Sequence, residues 1–427
     1  MKIKVKEKPY KEVIALPPAE HKRPKKPARF FRWLMKETSA SDLKATEFAC
    51  EMVGMERLGK NEPALYLMNH SSFIDLKIAS TVLYPRPFNI ICTSDGFVGK
   101  EWLMRAIGCV PTAKFVPDMT LLRDMSYSIK KLGCSVLLYP EASYTFDGTA
   151  TPLPETVGGM IKMLGAPVVM IRTFGAFARD PLYNILQLRK VKVSAKMTYL
   201  LSPDDIKEKS AGEINAILKE QFTFDNFRWQ QENRVKIDEP FRADGLERVL
   251  YKCPHCQSEG KTVGKGTELT CTACGKKYLL DEYGFLRCEN GEAAFTHVPD
   301  WYAWERDCVK KEIEAGKYLL DVPVDIRMMV DMKSIYRVGK GVLRHDASGF
   351  SLDGCDGELH YRQSPVASYG LYADYFWYEI GDMICIGDNQ KLFYCFPETP
   401  VPVAKTRLAA EELYKLHARR RNEKAGV

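Results

Sequence analysis

No run in the 427-residue chain approaches the roughly 18–20 consecutive apolar residues that span a bilayer, so a transmembrane protein is not expected. The opening segment, MKIKVKEKPYKEV, has no apolar core and does not have the form of a secretory signal. No internal repeat is present. Beyond residue 36 there is no excess of positive charge: 50 Lys/Arg face 52 Asp/Glu. A protein that wraps nucleic acid with an extended basic surface is therefore disfavoured.

What is present is an ordinary globular composition, 45% hydrophobic and 27% charged, at a length suited to two to four domains. The positive charge is concentrated at the start, where residues 1–36 hold twelve Lys/Arg against three Asp/Glu. Pro9, Pro17, Pro18, Pro24 and Pro27 predict an extended or disordered course up to residue 27. Arg29-Phe30-Phe31-Arg32-Trp33-Leu34-Met35-Lys36 then alternates bulky apolar residues with cations. That is what an interfacial helix presents to anionic headgroups; a tail packed on the body is the other reading.

The pattern along the chain divides it into a basic arm and interfacial segment (1–37), an α/β domain (38–235), a linker and Cys-bearing insert (236–295), a helical connector (296–333), a β-rich accessory domain (334–402) and a charged C-terminal helix (403–427). In the α/β part, 63–68, 88–92, 135–139 and 167–171 are short apolar runs suited to buried strands. They alternate with helical stretches, one of them carrying Met125, Ile129 and Leu132 on one face. This predicts a largely parallel sheet covered by helices on both faces. In the β-rich part, 375–378 and 392–396 suit paired strands, and the composition loosely resembles a small lipid-binding barrel of the pleckstrin-homology or GRAM kind.

Two patterns carry chemistry. The first begins with His70 and Asp75, a strand end and the first turns of the following helix. A neutral imidazole can take a proton from a hydroxyl, and a carboxylate on its other nitrogen fixes its tautomer. A His-x4-Asp spacing alone is common by chance. Pro140-Glu141-Ala142-Ser143-Tyr144 follows another strand, at the end where open α/β sheets bind ligands, and Lys114 would bring a cation to the same rim. The second pattern is Cys253-x2-Cys256, fourteen residues, then Cys271-x2-Cys274, the spacing of a four-thiolate zinc ribbon. Such a ribbon staples a small β-module that lacks a core, with nucleic-acid contact as the alternative.

Taken in order, Asn69-His70 through Asp75, Lys114, the Pro140–Tyr144 block and Pro167-Val168 make residues 45–220 resemble the glycerophosphate acyltransferase superfamily, most closely the lysophosphatidic acid acyltransferases. The sequence departs from that family's Pro-Glu-Gly-Thr-Arg block in having Ala142 for Gly and Tyr144 for Arg. The resemblance implies direct acyl transfer from an acyl-CoA or acyl carrier protein thioester to the hydroxyl of a lysophospholipid-like acceptor, 1-acylglycerol-3-phosphate foremost. His70 and Asp75 would be the catalytic pair, and Asn69, Lys114, Glu141 and Ser143 would bind the acceptor. Structural zinc would sit on Cys253, Cys256, Cys271 and Cys274. The expected location is the cytoplasm, peripherally on the anionic inner face of the cell membrane. The rival expectation is a lipid-binding or scaffold protein that keeps the fold with reduced chemistry.

Overall fold

The computed structural model describes residues 3–185, 187–289 and 291–425; the outermost residues of the basic arm and of the C-terminal helix lie outside the described residues. Of the two courses expected for the arm, extended or disordered, the structure shows an ordered one, largely extended and laid on the body. Its strand Val5–Glu7 (β1) pairs in parallel with residues 335–337, Tyr10 and Val13 are buried, and Lys22 forms an ion pair with Glu101. The prolines set an extended path, but side chains on both sides of them find partners on the body.

The first sheet contains Ala49–Val53 (β2), Leu65–Met68 (β3), Phe88–Thr93 (β4), Cys109–Thr112 (β5), Ser135–Leu138 (β6), Val168–Phe174 (β7) and Ser194–Leu201 (β8), in the order β2-β8-β7-β3-β6-β4-β5. Every neighbouring pair is parallel except β7–β8, which is antiparallel, so the sheet is mixed. Central β3 is buried along its whole length. Tyr66 and Met68 pack on one face with Ile74 and with Ile78 of the helix Asp75–Val82, which Ile74 precedes. Leu65 and Leu67 pack on the other with Met125, Ile129, Ile161 and Leu218, from three helices. A strand covered on both faces cannot show alternating polarity, which is why its sequence reads as a continuous apolar run.

Thr262–Lys265 (β9), Glu268–Cys271 (β10), Lys277–Leu280 (β11) and Leu286–Cys288 (β12) form a small antiparallel sheet around the cysteines. It is not independent of the body: Leu269, Tyr278, Leu280 and Leu286 share one core with Trp301 of the helix Val298–Glu314 and with Phe146 and Phe177.

The third sheet contains Leu320–Met329 (β13), Ile335–Asp346 (β14), Gly349–Gly354 (β15), Leu359–Gln363 (β16), Tyr372–Trp377 (β17), Gly381–Gly387 (β18) and Leu392–Pro397 (β19), with β1 added. Two expectations change here. β13 lies inside the stretch read as a helical connector; Val322, Val324, Ile326 and Met328 alternate inward, a period of two that marks a strand. The segments 375–378 and 392–396 belong to one sheet but do not pair, because β18 lies between them. The helix Val403–Ala425 follows and buries Val403, Ala404, Leu408, Ala409 and Leu413 in the core shared with this sheet.

Candidate active site

β3 and β6 are parallel neighbours, with Leu67 opposite Leu138, so the loops after their carboxyl ends emerge side by side. One loop carries His70 and the other Glu141. Glu141 bridges the two segments: its Oε2 accepts from the His70 backbone N–H at 2.9 Å and its Oε1 from the Thr151 N–H at 2.7 Å. Ala142, in the position of the motif glycine, sits at φ 56°, the left-handed region that glycine favours.

Asp75 opens its helix, and its Oδ2 accepts three hydrogen bonds, from Ser71 N–H at 2.7 Å, Ser72 N–H at 3.1 Å and His70 Nδ1 at 3.1 Å. Three donors on one carboxylate oxygen favour the ionised form, while burial pushes the group up to about 7. The His70 imidazole is held well below its ordinary value, first by burial and then by the nearby Lys114 ammonium. It lies between two aromatic rings, Tyr139 at 4.2 Å and Tyr144 at 3.9 Å, and Tyr144 continues to Phe73 at 5.1 Å. With Nδ1 on Asp75, the imidazole is neutral and its Nε2 is the nitrogen left to accept a proton.

The other expected acceptor-binding residues are placed differently from one another. Asn69 is buried and ties β3 to β7: its amide donates to Ser71 Oγ and Thr173 Oγ1, and its carbonyl accepts from the Thr173 N–H at 2.8 Å. Ser143 is buried, its hydroxyl donating to the Tyr144 carbonyl at 3.2 Å. Lys114 follows β5 and lies over the Tyr372 ring at 4.2 Å. The geometry thus brings His70, Asp75, Glu141 and Lys114 to one rim and uses Asn69 and Ser143 within the framework.

Three contributions were not visible in the sequence. Arg407, buried on the C-terminal helix, donates to the Tyr144 carbonyl and Thr151 Oγ1, pairs with Glu411 at 3.3 Å and stacks over Phe146 at 4.2 Å. Tyr369 donates to the Pro140 carbonyl at 3.5 Å, and Tyr372 donates to Asp95 at 2.7 Å. All come from more than 200 residues downstream, in segments without a motif of their own.

At the second centre the ligand atoms of Cys253, Cys256, Cys271 and Cys274 lie within 4.8 Å of one another. Each Cys-x2-Cys turn closes with a hydrogen bond back to its first cysteine carbonyl, from Gln257 N–H and from Gly275 N–H, and both closing residues have φ above 60°. The donor set and its spacing fit a tetrahedral zinc ion.

Residues 49–173 match the Acyltransferase family model. Over 133 residues the chain is 28% identical to the 1-acyl-sn-glycerol-3-phosphate acyltransferase BAT2, chloroplastic, of Brassica napus; the match covers 30% of this chain and 38% of that protein, so the chain spans well under half of that relative's length. Among solved structures, the crystal structure of the 1-acyl-sn-glycerophosphate (LPA) acyltransferase PlsC from Thermotoga maritima superimposes with a TM-score of 0.35 at 17% identity, over 45% of this chain and 76% of that one. With the family match lying across the strands and loops that build the His70 rim, residues 49–173 form an acyltransferase domain of the glycerophosphate acyltransferase superfamily.

Proposed function

We propose that this chain is an O-acyltransferase moving an acyl group from an acyl-CoA or acyl carrier protein thioester to the hydroxyl of a lysophospholipid-like acceptor. The observation that carries the reading is the His70 Nδ1–Asp75 Oδ2 contact of 3.1 Å beside Glu141, inside the family-matched segment. In this mechanism His70 Nε2 takes the hydroxyl proton as the acceptor oxygen attacks the thioester carbonyl carbon. The C–S bond then breaks and the proton passes to the departing thiolate. Asp75 holds the tautomer and stabilises the imidazolium while it exists. Tyr139 and Tyr144 exclude water from the ring faces.

The four-cysteine centre is read as a structural zinc site: bound zinc would cross-link the two turns, and its chemistry would not enter the acyl transfer. Approach to a lipid surface is assigned to the helix Arg29–Ala45, which packs on the helix Asp75–Val82 and exposes Phe30 and Trp33, while Phe73 and Leu76 are exposed beside the His70 loop. Among the described residues no helix is long and apolar enough to cross a membrane. The test is an assay of the purified chain on lyso-lipid acceptors with both donor types. Transfer that requires His70 supports the reading; specific lipid binding with no transfer from either donor supports the scaffold instead.

A further inference from the structure

The cation at the His70 rim has a partner that the acyltransferase segment does not supply. β17, from the third sheet, crosses the rim with Tyr372 and Asp374 two residues apart and therefore on the same face of the strand. Lys114 Nζ lies 4.2 Å from the Tyr372 ring centroid. Burial pushes the Asp374 carboxyl up to about 7 and the Lys114 ammonium down, and against that burial each is the charge that most favours the other's ionised form. The strand is fixed there. The Tyr372 hydroxyl donates to Asp95 at 2.7 Å, the Trp377 indole N–H donates to the Tyr372 oxygen at 2.9 Å, and Tyr369 reaches the Pro140 carbonyl. Arg407, the other cation nearby, is engaged by Glu411, Thr151 and the Tyr144 carbonyl. The position of the motif arginine is Tyr144, whose ring lies against His70.

We infer that Lys114 and Asp374 form a dipolar pair that reads a zwitterionic phosphodiester head group, with the ammonium of the acceptor on Asp374 and its single phosphate charge on Lys114. A phosphomonoester carries close to two negative charges near neutral pH and calls for two cations or a bidentate guanidinium. Here one lysine faces Asp374 and, next in strength, Asp95, so a second phosphate charge would meet carboxylates rather than a second cation. An ammonium, by contrast, gains a charge-assisted contact with the Asp374 carboxylate. Asp374 is thus a specificity-determining residue, contributed by the accessory sheet. The inference rests on the acyl-transfer reading for what the bound acceptor then undergoes.

The experiment measures, by calorimetry on the full chain, binding of three short-chain ligands: 1-acylglycerophosphoethanolamine, 1-acylglycerol-3-phosphate and monoacylglycerol. The ethanolamine head should bind about tenfold more tightly than the monoester, the scale set by one charged hydrogen bond. Asp374→Asn should abolish that preference and Asp374→Glu should restore most of it. Tightest binding of the monoester or of monoacylglycerol overturns the inference, as does an Asp374→Asn that weakens all three equally. Should Asp374→Asn fail to fold, Lys114→Gln decides: it should weaken the two phosphate-bearing ligands and spare monoacylglycerol, and equal weakening of all three again overturns the inference. Turnover with a thioester donor, measured separately, keeps the two readings apart. Selective binding without transfer counts against the enzyme and not against the head-group assignment.

Discussion

The proposed mechanism needs His70 as a neutral base, and two separate effects favour that state: Asp75 accepts from Nδ1, and burial disfavours the imidazolium at rest. Removing the ring removes the base. His70→Ala should therefore lower kcat by about 10²–10⁴-fold with no change in melting temperature beyond a few degrees. Asp75→Asn keeps the shape and should cost less. Near-normal turnover in His70→Ala would end the assignment. The pH profile gives an independent check. Asp75, pushed up to about 7, carries its charge only as the pH rises through that value. kcat/KM should accordingly rise with pH along a limb centred near 7, and a limb at the ordinary carboxylate value of about 4 would contradict the pairing.

The C-terminal helix looks charged in sequence, yet its Arg407 and Glu411 are buried beside the motif block. Arg407→Met leaves Glu411 with only Arg306, at 2.7 Å, takes the arginine donor from Thr151 Oγ1 and leaves the Tyr144 carbonyl to the Ser143 hydroxyl. Breaking one side of a buried pair typically costs about 3–5 kcal/mol; the remaining arginine should hold this case to about 2–3 kcal/mol in denaturant unfolding. An unchanged midpoint would mean that the helix packs by its apolar face alone. The cysteine-bearing element makes a different prediction. The purified chain should hold one zinc ion, and Cys256→Ser should release it and raise hydrogen exchange across 251–288. Because Leu269, Tyr278 and Leu286 are packed into the shared core, the loosening should spread to the helix Val298–Glu314. Metal analysis finding no zinc in the unaltered chain would remove the assignment.

At the scale of the whole molecule, the basic arm serves the fold as well as any docking to a membrane. Deleting the arm would remove β1 and the buried Tyr10 and Val13, so it would damage the fold as well as any docking. Phe30 and Trp33, 59% and 46% exposed, are the positions that separate the two effects. Phe30→Ser with Trp33→Ser should weaken co-sedimentation with anionic vesicles and lower activity on bilayer acceptor. It should leave activity on a short-chain soluble acceptor and the melting temperature near their original values. Equal losses on both acceptors would assign these side chains to packing. High salt should weaken vesicle binding in the same way, by screening the basic residues around them.

The sequence by itself determined the acyltransferase domain and the meeting of His70, Asp75 and Glu141: β3, β4, β6 and β7 are short apolar runs because each is buried, and the three residues lie within a few positions of strand ends, where local chain direction brings them together. The cysteine spacing fixed the four-thiol cluster for the same reason, since each pair is closed by its own tight turn. Only the tertiary structure decided the rest. β13 was hidden in a stretch read as helical connector, and the antiparallel β8 carries no sequence mark of its direction. The prolines of the arm read equally as an extended or a disordered course, and it is contacts with Asn89, Glu101 and Asp124 that hold it extended on the body. Arg407, Tyr372 and Asp374 reach the His70 rim from a different sheet and helix, more than 200 residues away. A meeting of that kind depends on how whole layers pack, and no local spacing in one chain encodes it.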